Sequence, residues 1–246
     1  MVVAPMASQG EEPTCSMGND AALAILSNQP RPLSDYFKQL FAQVTNPPLD
    51  AIREKLVTSL ATAVGPEGNL LEARPESAHL VLCDTPFLNN EELARFRRIA
   101  HFGDGPFGVT VLDMIFPVDE GSEGLEPALS ALFAKADNAI ADGSKVLVLS
   151  DRAVSASAAP IPALLAVAGL HNHLVREKRR TRVTLIVETG ALREVHQAAL
   201  LLGYGASAVN PYLILDALPS LGAKGFVPAS CGEETLRKNF LRAIEK

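Results

Sequence analysis

The order of apolar and polar residues differs between an N-terminal part and the rest of the chain. In the N-terminal part, apolar residues recur every three or four positions over 32–44 and over 50–65, which predicts two helices. A rigid turn separates them, because the prolines at 47–48 cannot donate helical hydrogen bonds. The residues before them show no periodicity. We therefore predict a flexible arm or linker over 1–20 and a helical segment over 21–75.

From residue 76 onward, short apolar runs alternate with amphipathic stretches. The runs predict strands at 79–83, 109–116, 145–150, 182–187 and 207–209. The amphipathic stretches predict helices at 89–99, 125–140, 161–178 and 191–202. Strands made almost wholly of Val, Ile and Leu are covered on both faces, and helical connections imply parallel pairing. The predicted class is α/β.

Polar residues lie where three of the predicted strands end, namely Asp151, Arg152, Glu188 and Asn210. A β/α barrel places its functional loops at that edge, but a complete barrel takes about 250 residues by itself. The chain has 246 residues, and the first 75 lie outside the βα pattern. We therefore predict about four or five βα units over 76–246. The result would be a partial, truncated β/α-barrel-like domain with an N-terminal helical segment.

The four strand-end residues are the candidates for a site, because the ends of barrel strands converge. Two interpretations of Asp151, Arg152, Glu188 and Asn210 remain open. They could form the active site of a stand-alone flavin- or phosphate-ligand-binding β/α barrel enzyme, or they could simply pin loops together or dock a partner.

Other motifs give no independent chemistry. Gly103, Gly105 and Gly108 have the spacing of a dinucleotide site, but that site needs a strand before it and a helix after it. The predicted order is the reverse, so we interpret 101–108 as a turn. The sequence contains neither a GxSxG nucleophile motif nor a Walker-type phosphate loop. We predict no catalytic residue in this chain.

The cysteines and histidines do not predict a metal centre. Cys15, Cys83 and Cys231 lie far apart, whereas an iron–sulfur cluster needs at least three thiolates that the fold brings together. His171 and His173 are about 200° apart around a predicted helix, so they cannot converge on one ion. We predict no metal site.

The charge balance argues against nucleic acid as a partner. The chain has 22 Lys and Arg against 28 Asp and Glu, a net charge of −6. The one dense cationic run, 176–182, is interpreted as a solvated helix end. No apolar stretch reaches the roughly 20 residues that a membrane span needs, and no secretory signal is apparent. We expect a soluble, intracellular protein.

Ordered blocks along the chain resemble one family, the central domain of glutamate synthase. The longest are DYFKQLFAQVTNPP at 35–48 and LLGYGASAVNPY at 201–212. Shorter blocks lie at 16–20, 52–54, 65–71, 149–152, 160–162, 164–167 and 173–176. The blocks keep the family order, so the resemblance implies that 21–246 is this central domain.

The resemblance also implies a larger enzyme that makes glutamate from glutamine and 2-oxoglutarate. In that family an amidotransferase domain releases ammonia, and an FMN-binding domain with an iron–sulfur cluster reduces the 2-iminoglutarate that forms. The central domain lies between these two partners and helps wall the ammonia passage. The resemblance therefore implies no cofactor in this chain, no activity of the chain alone, and a location in the cytoplasm or the plastid stroma.

The turn at 45–48 is similar to the family segment near the entrance of the passage. Ammonia must cross without being protonated, so the passage needs small, neutral walls shielded from bulk water. Thr45 and Asn46 can contact ammonia, and Pro47 and Pro48 hold the turn rigid. We expect Thr45 and Asn46 to line or gate the passage. The alternative is that the prolines only end a helix and that Asn46 caps a turn.

Overall fold

The structure is a computed structural model that describes residues 2–13, 22–38, 48–72, 74–99, 107–228 and 230–246. Among these residues the α-helices are α1 (Val3–Gln9), α2 (Glu54–Val57), α3 (Asn90–Ile99), α4 (Leu125–Ala141), α5 (Ala163–Arg176), α6 (Val195–Gly203), α7 (Tyr212–Ala223) and α8 (Glu233–Glu245). The strands are β1 (Thr62–Val64), β2 (Val81–Cys83), β3 (Gly108–Asp113), β4 (Ile115–Pro117), β5 (Ser144–Ser150), β6 (Ala158–Pro160), β7 (Thr184–Glu188) and β8 (Ala208–Asn210).

A parallel sheet of four strands forms the centre of the fold. Its order is β3-β5-β7-β8, so strands that follow one another along the parallel series are also neighbours in space. Helices α4, α5 and α6 connect them, as parallel pairing requires. The predicted α/β class with a partial β/α-barrel-like arrangement is confirmed.

Both faces of this sheet are buried. Successive side chains of a strand point to opposite faces, and apolar side chains are buried on each of them. The face toward α4, α5 and α6 carries Leu112, Leu147, Leu149, Leu185, Val187 and Val209. The other face carries Val146, Val148, Ile186 and Ala208. Burying each Val, Leu or Ile side chain contributes about 1.5–3 kcal/mol. The sheet is therefore the main source of hydrophobic stabilisation on both of its sides.

Helix α3 and the antiparallel pair β1-β2 cover the second face. Leu93 and Phe96 of α3 pack with Val64 of β1 against the strands. The backbone of Gly65 approaches β7 closely, since Gly65 N donates to Thr184 Oγ1 at 2.8 Å and Thr184 Oγ1 donates to Gly65 O at 2.7 Å. A Cβ at Gly65 would lie 2.8 Å from the backbone oxygen of His79, and φ is 148°, so this close approach of the backbone requires glycine.

The start of the chain differs from the predicted flexible arm. Val3–Gln9 form α1, which packs on α8 and buries Met6 and Ala7 completely. Asn239 Nδ2 of α8 donates to the carbonyl oxygens of Ala7 and Ser8 at 3.1 and 3.2 Å. The prediction of an arm is wrong for these residues, because about two helical turns of small and apolar side chains are too short to show a period. Residues 14–20 lie outside the described residues.

The structure bears differently on the two predicted N-terminal helices. Leu33–Phe37 form a 3-10 turn, and the rest of the first predicted helix lies largely outside the described residues. The second, predicted over 50–65, is wrong in extent, because α2 covers only Glu54–Val57 and Thr62–Val64 form β1. Pairing with β2 and burial of Val64 outweigh the local helical period.

Candidate functional site

The predicted strand-end residues meet at the carboxyl edge of the sheet. Ser150 of β5 pairs with Glu188 of β7, and Glu188 pairs with Asn210 of β8, so the strand ends lie side by side. Asp151 and Arg152 follow β5 directly. Asp151, Glu188 and Asn210 are 5%, 1% and 0% exposed. The structure therefore brings these four residues together at one edge of the sheet.

Glu188 is the centre of this cluster, which we call the strand-end network. Its Oε1 accepts from Arg152 Nε at 2.6 Å, and its Oε2 accepts from Arg97 Nη2 at 2.6 Å and from the hydroxyl of Ser150. A buried carboxylate needs such charged partners to offset its lost hydration. Arg97 lies on α3 and was missed by the sequence analysis, because no local signal tells that α3 covers this edge.

Arg152 also contacts α7. Its guanidinium carbon lies 4.1 Å from the centre of the Tyr212 ring, a cation–π contact. Its Nη1 lies 3.8 Å from Asp216 Oδ2, one helical turn further along α7. These contacts and the bond to Glu188 fix the position of the guanidinium. Tyr212 and Asp216 were not identified as site residues from the sequence.

Asp151 binds the loop after β7. Thr189 Oγ1 donates to Asp151 Oδ2 at 2.7 Å, and Gly190 N donates to both carboxylate oxygens at 3.0 Å. The pKa of Tyr212 is raised to about 12, first because burial disfavours the phenolate and then because Asp151 accepts a hydrogen bond from the phenol and repels its charged form. Asp151 thus ties the β5 loop to the β7 loop and to α7.

Asn210 ties the end of β8 to the start of α3. Its Nδ2 donates to Leu88 O at 2.9 Å and to Asn90 Oδ1 at 3.0 Å, and Asn90 Nδ2 donates to Asp216 Oδ1 at 2.8 Å. Across the described ranges, two buried atoms of this network have no partner, Asn210 Oδ1 and Arg97 Nε. One is an acceptor and the other a donor, so a small hydrogen-bonding molecule such as water suits them.

The charges of the strand-end network determine its chemistry. Arg97 and Arg152 bind Glu188, and Arg152 also lies near Asp216. The carboxylate of Asp151 has neutral donors, and Asp216 accepts from Asn90. An anionic ligand would have to compete with Glu188 for both arginines. The arrangement therefore suits the pinning of loops better than the binding of a phosphate.

The histidines have partners within the fold. His173 Nε2 lies 2.8 Å from Asp137 Oδ2, and His196 Nε2 lies 3.1 Å from Ser34 O. The pKa of His171 is lowered by burial and by the charge of Arg180, so the ring is neutral and its Nδ1 accepts from Arg180 Nε at 3.0 Å. In the part of the chain that the structure describes, no group of three His, Cys, Asp or Glu residues is placed to hold a metal ion.

Two further findings concern the remaining predictions. Thr45 and Asn46, the predicted passage residues, lie outside the described residues. Of the helices in the described ranges, none combines the length and the apolar character needed to cross a membrane.

Comparison with known proteins identifies the family. Residues 1–246 match the family model described as the glutamate synthase central domain. The chain is 45% identical over 244 residues to a glutamate synthase [NADH] of Schizosaccharomyces pombe. The aligned region covers 99% of this chain and 12% of that protein. It is 47% identical over 209 residues to the glutamate synthase [NADPH] large chain of Bacillus subtilis, which covers 85% of this chain and 13% of that protein.

A plant relative matches this chain over its whole length. The chain is 42% identical over 257 aligned residues to the chloroplastic ferredoxin-dependent glutamate synthase of Spinacia oleracea, covering 100% of this chain and 16% of that protein. The chain thus spans 12%, 13% and 16% of the length of these three relatives. Its blocks of similarity with the family extend over both the N-terminal segment and the parallel sheet. The chain belongs to the glutamate synthase central domain family.

Proposed function

We propose that this central domain is non-catalytic and links the glutaminase domain of a glutamate synthase to its FMN- and iron–sulfur-containing synthase domain. In this proposal it also helps form the internal ammonia passage for glutamate synthesis from glutamine and 2-oxoglutarate. The chain spans only 12% to 16% of three relatives, so most of such an enzyme would lie outside it. The cofactors would be held by the neighbouring synthase domain, in an enzyme of the cytoplasm or the plastid stroma.

The observation that carries this proposal is an exposed apolar stretch at 49–60, which we call the apolar segment. The segment exposes Leu49 by 46%, Ile52 by 92%, Leu56 by 79%, Val57 by 59% and Leu60 by 37%. Apolar side chains concentrated in this way on a surface are typical of a protein–protein interface. The apolar segment therefore suits a surface that a neighbouring domain covers.

The apolar segment also bears on the passage. Thr45 and Asn46 precede it by only a few residues along the chain. Where the apolar segment meets a neighbouring domain, residues 45–46 would lie close to the same boundary. Ammonia has to cross a domain boundary shielded from water, and the neutral side chains of Thr45 and Asn46 suit the walls of such a crossing.

The strand-end network supports a structural role for this domain. The alternative, a stand-alone flavin- or phosphate-ligand-binding enzyme, would act at Asp151, Arg152, Glu188 and Asn210. Its anionic ligand would need arginines that Glu188 already binds at 2.6 Å. Flavin that stays bound to the purified chain would favour this alternative.

The interface role can be tested with the double variant Ile52→Glu and Leu56→Glu in the complete enzyme. We expect glutamate formation to fall severalfold, because two carboxylates would be buried against a neighbouring domain. In the 246-residue chain the same variant should change the free energy of unfolding by less than about 0.5 kcal/mol, since both side chains are exposed.

The control is Gln29→Glu, which adds a carboxylate at another exposed position outside the apolar segment. It should leave glutamate formation unchanged. Full activity of the Ile52→Glu, Leu56→Glu enzyme would contradict the proposal that this surface is an interface.

A further inference from the structure

A large cleft lies at the amino edge of the parallel sheet, opposite the strand-end network. Its volume is about 980 Å³. One wall is formed by the start of β5 and the loop between α5 and β7, and the other by residues within 66–72 and 74–79. Gly68 N donates to Thr181 O at 2.9 Å and joins the two walls.

The cleft is basic in a chain whose net charge is −6. Four cationic side chains line it, Arg74, Lys145, Lys178 and Arg182, against the single carboxylate of Glu72. Glu72 is paired with Arg74. Within the described ranges, Lys145, Lys178 and Arg182 form no ion pair. Three positive charges of the cleft are therefore free to meet an anion.

The Lys and Arg residues at 178–182, after α5, have two roles. Two of them hold the loop in place, and two line the cleft. Arg179 Nη1 binds Asp137 Oδ1 at 3.0 Å. Arg180 donates to the carbonyl oxygens of Val183 and Gly205 at 2.8 and 2.9 Å. These two side chains fix the loop, while Lys178 and Arg182 line the cleft. The cationic wall is thus held in place by the fold.

Lys178 adopts a backbone conformation that normally favours glycine. Its φ is 56°, the left-handed region, and it is the non-glycine residue with positive φ among those the structure describes. The bonds from Lys178 N to Val175 O and from Arg179 N to Leu174 O form a Schellman helix end, where glycine is the usual residue. A lysine here carries a conformational cost of about 1–2 kcal/mol that glycine would not. The helix end by itself therefore does not explain a lysine at this position.

We propose that the basic cleft binds a small anion bearing two or more phosphate charges, such as a diphosphate group. Two of the three free cations are lysines, whose compact ammonium groups bind phosphate oxygens as point charges, and the third, Arg182, carries a planar fork that matches phosphate geometry. The hydroxyl groups of Ser77 and Thr181 at the cleft wall add neutral donors. This site is separate from the interface and passage of the proposed function and does not depend on them.

The dipole of helix α5 explains only part of the positive charge that lines the basic cleft. The C-terminal end of α5 lies at this edge, and cations there stabilise the helix dipole. That effect explains cations immediately after α5. It does not explain Lys145, which lies in β5, or Arg74, which lies on the facing wall.

The test is calorimetric titration of the 246-residue chain with sodium pyrophosphate at constant ionic strength, with Lys178→Gly as the variant. We expect saturable binding by the unmodified chain and a Kd about fivefold weaker in the variant, as loss of one charged contact implies. The same substitution should raise Tm by about 2–4 °C, because glycine adopts the left-handed backbone without strain. A purely structural lysine would give the rise in Tm without the loss of affinity.

The matched control is Lys224→Gly, which removes an exposed lysine at the end of α7, where φ is −88°. It should neither raise Tm nor change the Kd for pyrophosphate. Absence of saturable binding, or an unchanged Kd in Lys178→Gly, would overturn the proposal. Sodium phosphate, titrated in parallel, carries fewer negative charges and should bind more weakly, and equal binding of phosphate would overturn the requirement for two phosphate groups.

Discussion

Glu188 shows how one side chain can hold several elements together. It is 1% exposed, and it joins β7 to Arg97 of α3, to Arg152 of the loop after β5 and to Ser150 of β5. When one member of a buried ion pair is removed, the charge of each side chain that it contacted is left without compensation. The strand-end network should therefore be sensitive to changes at this one position.

We expect Glu188→Ala to lower the free energy of unfolding by about 2 kcal/mol. The loss should be smaller than the 3–5 kcal/mol or so of fully buried pairs, because the side chains of Arg97 and Arg152 are 37% and 39% exposed and can recruit water. Urea titration of the chain measures the change. Glu126→Ala, an exposed position on α4, serves as control. Equal unfolding midpoints of the two variants would show that the strand-end network does not stabilise the fold.

The sequence predicted part of this network and missed the rest for a physical reason. Asp151, Arg152, Glu188 and Asn210 follow parallel strands, and such strands end at one edge whatever covers them. Arg97 and Tyr212 come from helices that cover this edge. Their positions depend on how α3 and α7 pack on the sheet, which no local pattern encodes.

Among the elements, α1 contributes more than its length suggests. It covers only Val3–Gln9, but Ala4, Met6 and Ala7 belong to the main hydrophobic core together with Phe240 of α8. So short a helix is not stable by itself, and packing on α8 supplies its stabilisation. The two helices should therefore form as one unit.

We expect Met6→Ala to destabilise the chain by about 2–4 kcal/mol, because it opens a cavity at a fully buried position. Chemical denaturation followed by circular dichroism measures this loss. The control is Gln9→Ala, on the exposed side of the same helix, which should change stability by less than about 0.5 kcal/mol. A loss for Met6→Ala as small as that for Gln9→Ala would mean that α1 is not part of the core.

The elements that the sequence predicted best are those whose own side chains decide their structure. Helix α4 and strand β7 have long apolar patterns and lie close to their predicted positions. Strand β1 has three residues and exists because β2 pairs with it, so the helical period over 50–65 was misleading. Short elements of this kind are determined by tertiary contacts.

At the scale of the whole molecule, the apolar segment and the basic cleft are surfaces available to partners, while the strand-end network binds its own charges. The apolar segment exposes its aliphatic side chains on one part of the surface. The basic cleft opens at the amino edge of the sheet. This organisation agrees with the proposal that the domain contacts neighbouring domains.

The proposed passage is tested most directly by the ratio of glutamine hydrolysed to glutamate formed in the complete enzyme carrying Asn46→Ala. We expect hydrolysis to exceed glutamate formation, with free ammonia in the medium, because a wall of the passage would lose its hydrogen-bonding amide. Asn28→Ala, at an exposed position, should keep the ratio of the unmodified enzyme. An unchanged ratio in Asn46→Ala would contradict the passage role of residues 45–46.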